Sequence, residues 1–269
     1  MEKELEKKYE KLVEILEEME SAVVAFSAGV DSTFLLHVAH KVMKEHVLAV
    51  TVITDSFPQR ELEEANVFLK NDHIPAEMIR MNQLEIDGFQ ENTEQRCYFC
   101  KKAIFGQIRN LAEHRKKAYV LDGSNVDDDG DYRPGMKALK ELGIRSPLKE
   151  AGMTKNDIRR LSEIMGLKTW DKPAYACLAT RIKSGQKITL EKLKRIELAE
   201  QYLIDRGFRQ VRVRLYENET KIEVETKDIP RLKSMEKEIV SQLESLELQR
   251  VSIDPEGYVM GKMNGGKHE

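Results

Sequence analysis

The feature that most constrains this chain is a repeated alternation of short, fully apolar runs with longer amphipathic stretches. The first run, Ala22-Val23-Val24-Ala25-Phe26, is rich in β-branched residues, halts at Ser27-Ala28-Gly29, and gives way to helical periodicity from Thr33 to Lys44. A second run, Val47 to Ile53, is followed by Pro58 and a predicted helix from Gln59 to Asn71 with Leu62, Ala65, Val67 and Leu69 on its inner face. The pattern continues through Ala76 to Arg80, a helix near Lys101 to His114, and a strand at Ala118 to Asp122. Strands alternating with helices of this length predict an α/β fold: a parallel sheet with helices on both faces, built from right-handed crossovers. Residues 2 to 20, with Leu5, Leu12, Val13, Leu16 and Met19 at helical spacing, predict an amphipathic helix packed across it.

From Gly123 to Pro147 the chain is dense in Gly, Asp and Pro and reads as a long loop containing a short helix at Met136 to Leu142. Loops of that length at the carboxyl edge of a parallel sheet usually serve a site. A helix at Lys155 to Met165 and a loop from Trp170 to Arg181 follow. Beyond Ser184-Gly185 the pattern changes. A helix from Leu190 to Arg206, strands at Gln210 to Tyr216 and Lys221 to Glu225, a helix from Ile229 to Leu243 and a last hairpin around Val251 to Met260 predict a small α+β domain. The expected division is therefore 1–185 for a nucleotide-binding domain and 186–269 for a smaller substrate-binding or oligomerisation domain. The tail Gly265 to Glu269 reads as disordered.

Composition narrows the function classes. Charged residues (34%) and hydrophobic ones (41%) are spread along all 269 positions, as in a globular protein. The opening Met1-Glu2-Lys3-Glu4-Leu5-Glu6 lacks the apolar core of a signal peptide, and no run approaches the roughly 20 apolar residues that span a bilayer. A cytoplasmic location without membrane partners is expected. The formal charge of -3 gives no global electrostatic reason to bind nucleic acid. Three cysteines, an odd number in a chain of this size, point away from a disulfide framework and toward thiol chemistry or metal ligation.

Ser27, Ala28, Gly29, Val30, Asp31 and Ser32 lie between the first apolar run and the helix after it. There the backbone N–H groups of the first helical turn and the positive end of its dipole favour an anion, and small residues let that anion approach. An ordinary turn with Ser and Asp as caps is the competing reading. No Walker lysine stands here, so the bound nucleotide is expected to give up pyrophosphate instead of its terminal phosphate. The six residues resemble the Ser-Gly-Gly-x-Asp-Ser signature of the PP-loop ATP pyrophosphatases. Ala28 departs from the first glycine, a change that is tolerable if its φ is negative.

Cys97 and Cys100 form Cys-Tyr-Phe-Cys, and Cys177 lies in Pro173-Ala174-Tyr175-Ala176-Cys177-Leu178-Ala179-Thr180-Arg181. A Cys-x-x-Cys pair plus a distant third thiolate could ligate three irons of a 4Fe-4S cluster, leaving one iron open to a hydrosulfide. A zinc site, a redox pair at Cys97 and Cys100, and three inert core cysteines are the rival readings.

The loop at Ser27 to Ser32 combines with Gly123-Ser124-Asn125-Val126-Asp127-Asp128, Asp131-Tyr132-Arg133-Pro134-Gly135, Ala176 to Arg181 and Val211-Arg212-Val213-Arg214. Taken together and in order, they resemble the LarE-type sulfur transferases of nickel-pincer nucleotide biosynthesis. The resemblance implies an enzyme that adenylates a carboxylate of a pyridinium biscarboxylate mononucleotide and lets sulfur displace AMP to give a thiocarboxylate. It further implies ATP held by the loop and Gly123, Mg2+ near Asp31 with Asp127 and Asp128 as weaker candidates, sulfide or another sulfur donor, and a homo-oligomer. Two sulfur sources are implied: Cys177 surrendering its own sulfur, or Cys97, Cys100 and Cys177 holding a 4Fe-4S cluster, which the three cysteines here favour. Arg181, Arg212 and Arg214 are expected to grip the substrate phosphate, since the planar guanidinium binds phosphate bidentately and Arg212 and Arg214 share a strand face. A solvated strand face is the plainer account of the last two. Arg96 and Lys101, flanking the cysteine pair, are candidates either to hold an anionic substrate or to depress the thiol pKa values. The competing functions are a PP-loop tRNA thiolase, an amide-forming ligase and a non-catalytic nucleotide-binding module.

Overall fold

A computed structural model describes residues 3–130, 134–173 and 176–259, with backbone only at 129 and 130. Asp131 to Arg133, Ala174, Tyr175 and the tail from Met260, on which several of the sequence-based expectations fall, lie outside the described residues. The chain forms two compact units. One takes the described residues of Met1–Asn82 and Cys97–Tyr175, the other those of Gln83–Arg96 and Ala176–Glu269.

In the first unit, strands β1 (Ala22–Ala25), β2 (Val47–Ile53), β3 (Ala76–Arg80) and β4 (Tyr119–Leu121) make a wholly parallel sheet in the order β3-β2-β1-β4. The helices are α1 (Lys3–Glu17), α2 (Val30–Met43), α3 (Gln59–Asn71), α4 (Arg96–His114), α5 (Pro134–Glu141), α6 (Pro147–Glu150) and α7 (Lys155–Ile164). Val23 sits opposite Leu48 and Val120, and the period of two sorts the strands onto two cores. Ala22, Val24, Ala49 and Leu121 pack with residues of α1, α2, α3, α6 and α7. Val23, Leu48, Val50 and Val120 pack with Phe105, Ile108 and Ala112 of α4 and Leu139 of α5. Both faces are covered, the predicted PP-loop-like α/β arrangement. Burying Leu12 and Leu16 of α1 completely contributes about 2 kcal/mol each. One residue predicted to face inward does not: Val67 is 57% exposed, because Ala65 and Leu69 carry the buried stripe of α3 and a position two away from both points outward.

Successive strands β1, β2 and β3 run to one side, and β4 lies on the other side of β1. The carboxyl ends of β1 and β4 therefore form a topological switch point, where open parallel sheets place their ligands.

In the second unit, α8 (Leu190–Asp205) starts at Thr189, whose side chain accepts from the Lys192 N–H. It precedes β5 (Val211–Leu215), β6 (Thr220–Val224), α9 (Ile229–Ser234), α10 (Glu236–Ser245) and β7 (Val251–Ile253). β5 and β6 are antiparallel, but β7 runs parallel to β6. Of the hairpin expected around Val251 to Met260, the described residues show one strand, β7, and α9 and α10 supply the crossover that its parallel pairing with β6 requires. The helix expected unbroken from Ile229 to Leu243 is divided at Met235.

Gln83–Arg96 is tied into this unit by Asn92, which is buried with φ +52°. Its side-chain amide donates to the carbonyls of Ile182 (3.1 Å) and Lys183 (2.9 Å), and its backbone carbonyl accepts from the Gly185 N–H at 2.9 Å. Among the described residues no helix is long and apolar enough to cross a membrane.

Candidate functional site

The phosphate loop leaves β1 after Phe26, whose N–H donates to the Val50 carbonyl at 2.9 Å, and turns directly into α2. Two serines knit its ends together. Ser32 Oγ accepts from the Ser27 N–H at 3.3 Å, lies 3.1 Å from Ser27 Oγ, and donates to the Gly29 carbonyl at 3.3 Å. Gly29 is the N-cap residue and no side chain caps the helix, so the first-turn amides face the switch point as donors for an anion.

Ala28 reverses its sequence-based condition. Its φ is +56°, in the left-handed region, where a Cβ costs about 1–2 kcal/mol relative to the usual helical region, and the residue is buried. A glycine at this position would carry no such strain. Gly123, just past β4, fits its expected role by close approach. A Cβ there would stand 3.0 Å from the Ser32 backbone nitrogen and 3.3 Å from the Asp31 carbonyl carbon. Only a residue without a side chain lets the β4 end lie flush against the loop.

Beside the loop, Asp31 Oδ2 accepts from Lys155 Nζ at 2.5 Å and Oδ1 from the Asn125 amide at 3.4 Å. Asp127 Oδ2 accepts the Lys155 backbone N–H at 2.8 Å, and Asp128 Oδ2 accepts the Asn125 N–H at 2.9 Å. Asp128 thus closes a local turn and Asp127 holds the start of α7, while Asp31 faces a lysine. Among the described residues no group of three or more His, Cys, Asp or Glu side chains is gathered for a metal ion. Asp31 is the carboxylate on the loop itself, and Lys155 Nζ is in contact with it. Lys155, one of 44 Lys and Arg, carries no sequence signal of its own.

Cys97 and Cys100 lie near the start of α4, three apart and so on one face, Cys97 exposed and Cys100 half-buried. That spacing suits two ligands of one metal or cluster. Gly135, the second residue of α5, lies under the Lys101 side chain.

Cys177, half-buried, belongs to the second unit and immediately precedes a short turn, Leu178–Arg181. Its carbonyl accepts from the Thr180 N–H (2.9 Å), Thr180 Oγ1 (2.7 Å) and Arg181 Nη1 (3.2 Å). Arg181 is wholly buried and grips Glu200 bidentately, Nε to Oε1 at 2.8 Å and Nη2 to Oε2 at 3.0 Å. Its Nη1 also donates to the Ala176 carbonyl at 2.6 Å. The cation expected to hold an external phosphate is therefore paired internally and braces the backbone on both sides of the Cys177 nitrogen. Burial opposes the charge of each partner, but their attraction outweighs it: the Glu200 carboxyl is held below its ordinary range and the Arg181 guanidinium is raised.

Arg214 donates to Glu223 Oε2 at 3.1 Å and to the Thr180 carbonyl at 3.2 Å. Arg212 donates to the Val211 carbonyl at 2.7 Å and lies over the Tyr258 ring. Burial, then the neighbouring Arg181 charge, lowers its pKa to about 10. All five residues of β5 are buried, so the solvated strand face is excluded. The three arginines share one unit, organised by Glu200 and Glu223, two carboxylates that no sequence motif announced. Arg96 donates to Asn92 Oδ1 and, at 3.1 Å, to the Ala179 carbonyl.

No protein-family model matches the chain. Over 262 residues it is 39% identical to an uncharacterized protein of Synechocystis sp., covering 97% of this chain and 98% of that one. It is 33% identical over 254 residues to the pyridinium-3,5-bisthiocarboxylic acid mononucleotide synthase of Lactiplantibacillus plantarum, covering 94% and 92%. A more distant similarity, 23% over 192 residues, joins 64% of this chain to 51% of a glutamine-hydrolyzing GMP synthase polypeptide of Sulfurisphaera tokodaii.

Proposed function

The chain belongs to the LarE-type family, that of the pyridinium-3,5-bisthiocarboxylic acid mononucleotide synthases, and from that premise we propose an ATP-dependent, AMP-forming sulfur transferase. Its substrate on this reading is pyridinium-3,5-biscarboxylic acid mononucleotide, converted to a thiocarboxylate for a nickel-pincer cofactor. The observation that carries the proposal is the phosphate loop: an uncapped helix start at the switch point, beside Gly123, where an added Cβ would stand 3.0 Å from the Ser32 nitrogen.

A carboxylate is a poor electrophile until one oxygen becomes a good leaving group. Attack of that oxygen on the α-phosphorus of ATP expels pyrophosphate and leaves an acyl adenylate. The loop amides stabilise the negative charge of the departing pyrophosphate, and Asp31 would hold Mg2+ there. A sulfur nucleophile then adds to the acyl carbon and AMP leaves with its bonding electrons.

Cys97, Cys100 and Cys177 are the residues that would hold a 4Fe-4S cluster, which when bound supplies sulfide at the iron without a protein ligand. Arg181 fixes the Cys177 backbone, and Arg212 and Arg214 are proposed to face the substrate phosphate. Adenylation is assigned to the first unit, substrate binding and self-association to the second, in a cytoplasmic homo-oligomer. Anaerobic purification with iron and sulfide analysis tests the sulfur source, together with the polypeptide mass before and after turnover. The cluster reading expects about four irons per chain and an unchanged mass. Loss of one sulfur and two hydrogens at Cys177 would instead establish the sacrificial route.

A further inference from the structure

Lys172 lies outside every motif named so far, yet it reaches the phosphate loop. The side chain is buried, and its Nζ donates to Glu61 Oε2 (2.6 Å), Glu64 Oε2 (2.5 Å) and the Ala28 carbonyl (3.0 Å). The backbone that bears it is held in turn by Arg159, which donates to the carbonyls of Trp170 (2.5 Å) and Lys172 (2.7 Å). Glu61 is itself buried, and burial raises its carboxyl pKa against the opposing pull of Lys172.

Buried ion groups add little net stability, since desolvation offsets their attraction, and an apolar set could fill the same space. The position of this one supplies the reason for it. The neutral acceptor on the ammonium is the carbonyl of Ala28, the loop residue at φ +56°, where a side chain is disfavoured. A peptide held against its own preference needs an external restraint, and a point charge with three donors, anchored on α3, provides one.

We propose that Lys172, with Glu61 and Glu64, is a positioning group for the phosphate loop: it locks the Ala28 peptide so that the Gly29–Ser32 amides stand ready before the nucleotide arrives. The claim about loop conformation stands on geometry alone. Its consequence for ATP rests on the reading given under Proposed function.

The test uses the full chain in four forms: unaltered, Lys172→Met, Ala28→Gly, and the double variant. ATP affinity is read by calorimetry and folding by thermal midpoint. Lys172→Met is expected to weaken ATP binding on the order of tenfold. Ala28→Gly, which needs no restraint at positive φ, is expected to restore most of that loss in the double variant. It should also raise the midpoint of Lys172→Met by more than it raises that of the unaltered protein. Glu64→Gln, at a half-exposed carboxylate, is the milder variant: a few-fold loss in affinity, rescued in the same way, is expected. Unchanged affinity in both Lys172→Met and Glu64→Gln would overturn the proposal, as would additive effects of Ala28→Gly. If the unaltered protein binds no ATP, the nucleotide reading fails, and the midpoint coupling alone decides the positioning claim.

Discussion

At the scale of single residues, the candidate site depends on atoms that are absent as much as on those present. Gly123 is one case. Gly123→Ala inserts a methyl 3.0 Å from the Ser32 nitrogen, a backbone atom that cannot swing aside, so the loop must shift by a few tenths of an ångström. The expected outcome is a tenfold or larger loss, to order of magnitude, in the rate of ATP-dependent pyrophosphate release, with circular dichroism unchanged. Glu200 is the other case. Because its folded pKa lies below the ordinary value of 4.5, its contribution is fully present above that value and lost as pH falls through the lower folded value. Glu200→Gln should therefore flatten the acid limb of stability against pH. At neutral pH it should cost about 3–5 kcal/mol, because Arg181 keeps its buried charge without a partner, and denaturant titration across pH measures both.

At the scale of elements, Asn92 fastens the segment Gln83–Arg96 into the second unit. Asn92→Ala removes two amide donors from the carbonyls of Ile182 and Lys183 and an acceptor from Arg96. A loss of about 2–4 kcal/mol in urea unfolding is expected, carried by the midpoint and not the slope. Elements also show what is legible in the sequence. The strands Ala22–Ala25 and Val47–Ile53 announce themselves because both faces of a parallel strand are buried and no charged residue interrupts the run. The phosphate loop is legible for a related reason, since it sits where strand chemistry stops and helix chemistry begins. β7 reads as part of a hairpin because strand direction is not written in three residues; it is fixed by α9 and α10 crossing over. The partners of Arg181 and Arg214 are illegible too. Glu200 comes from α8 and Glu223 from a neighbouring strand, and their alignment exists only after folding. Ala28 reads as harmless because φ at a loop residue is decided by what holds its peptide, here a lysine 144 positions away.

At the scale of the whole molecule, a segment between β3 and α4 joins the C-terminal unit, so the chain passes between its two units more than once. That interleaving ties the proposed adenylating unit to the one that carries Cys177 by several covalent crossings, not by one linker. A separate, bulk property distinguishes the proposal from its runner-up: a tRNA thiolase would bind RNA with affinity falling steeply in salt, whereas a carrier of one small nucleotide would not. With tRNA as probe, no salt-steep binding is expected in a filter-binding titration.

The most direct test is anaerobic incubation of the purified protein with ATP, Mg2+, sulfide and pyridinium-3,5-biscarboxylic acid mononucleotide, with mass spectrometry of the small-molecule product. A product in which one carboxylate oxygen is replaced by sulfur, appearing with AMP and pyrophosphate, is predicted. Release of ADP and phosphate, or AMP formation with the substrate recovered unthiolated, would contradict it.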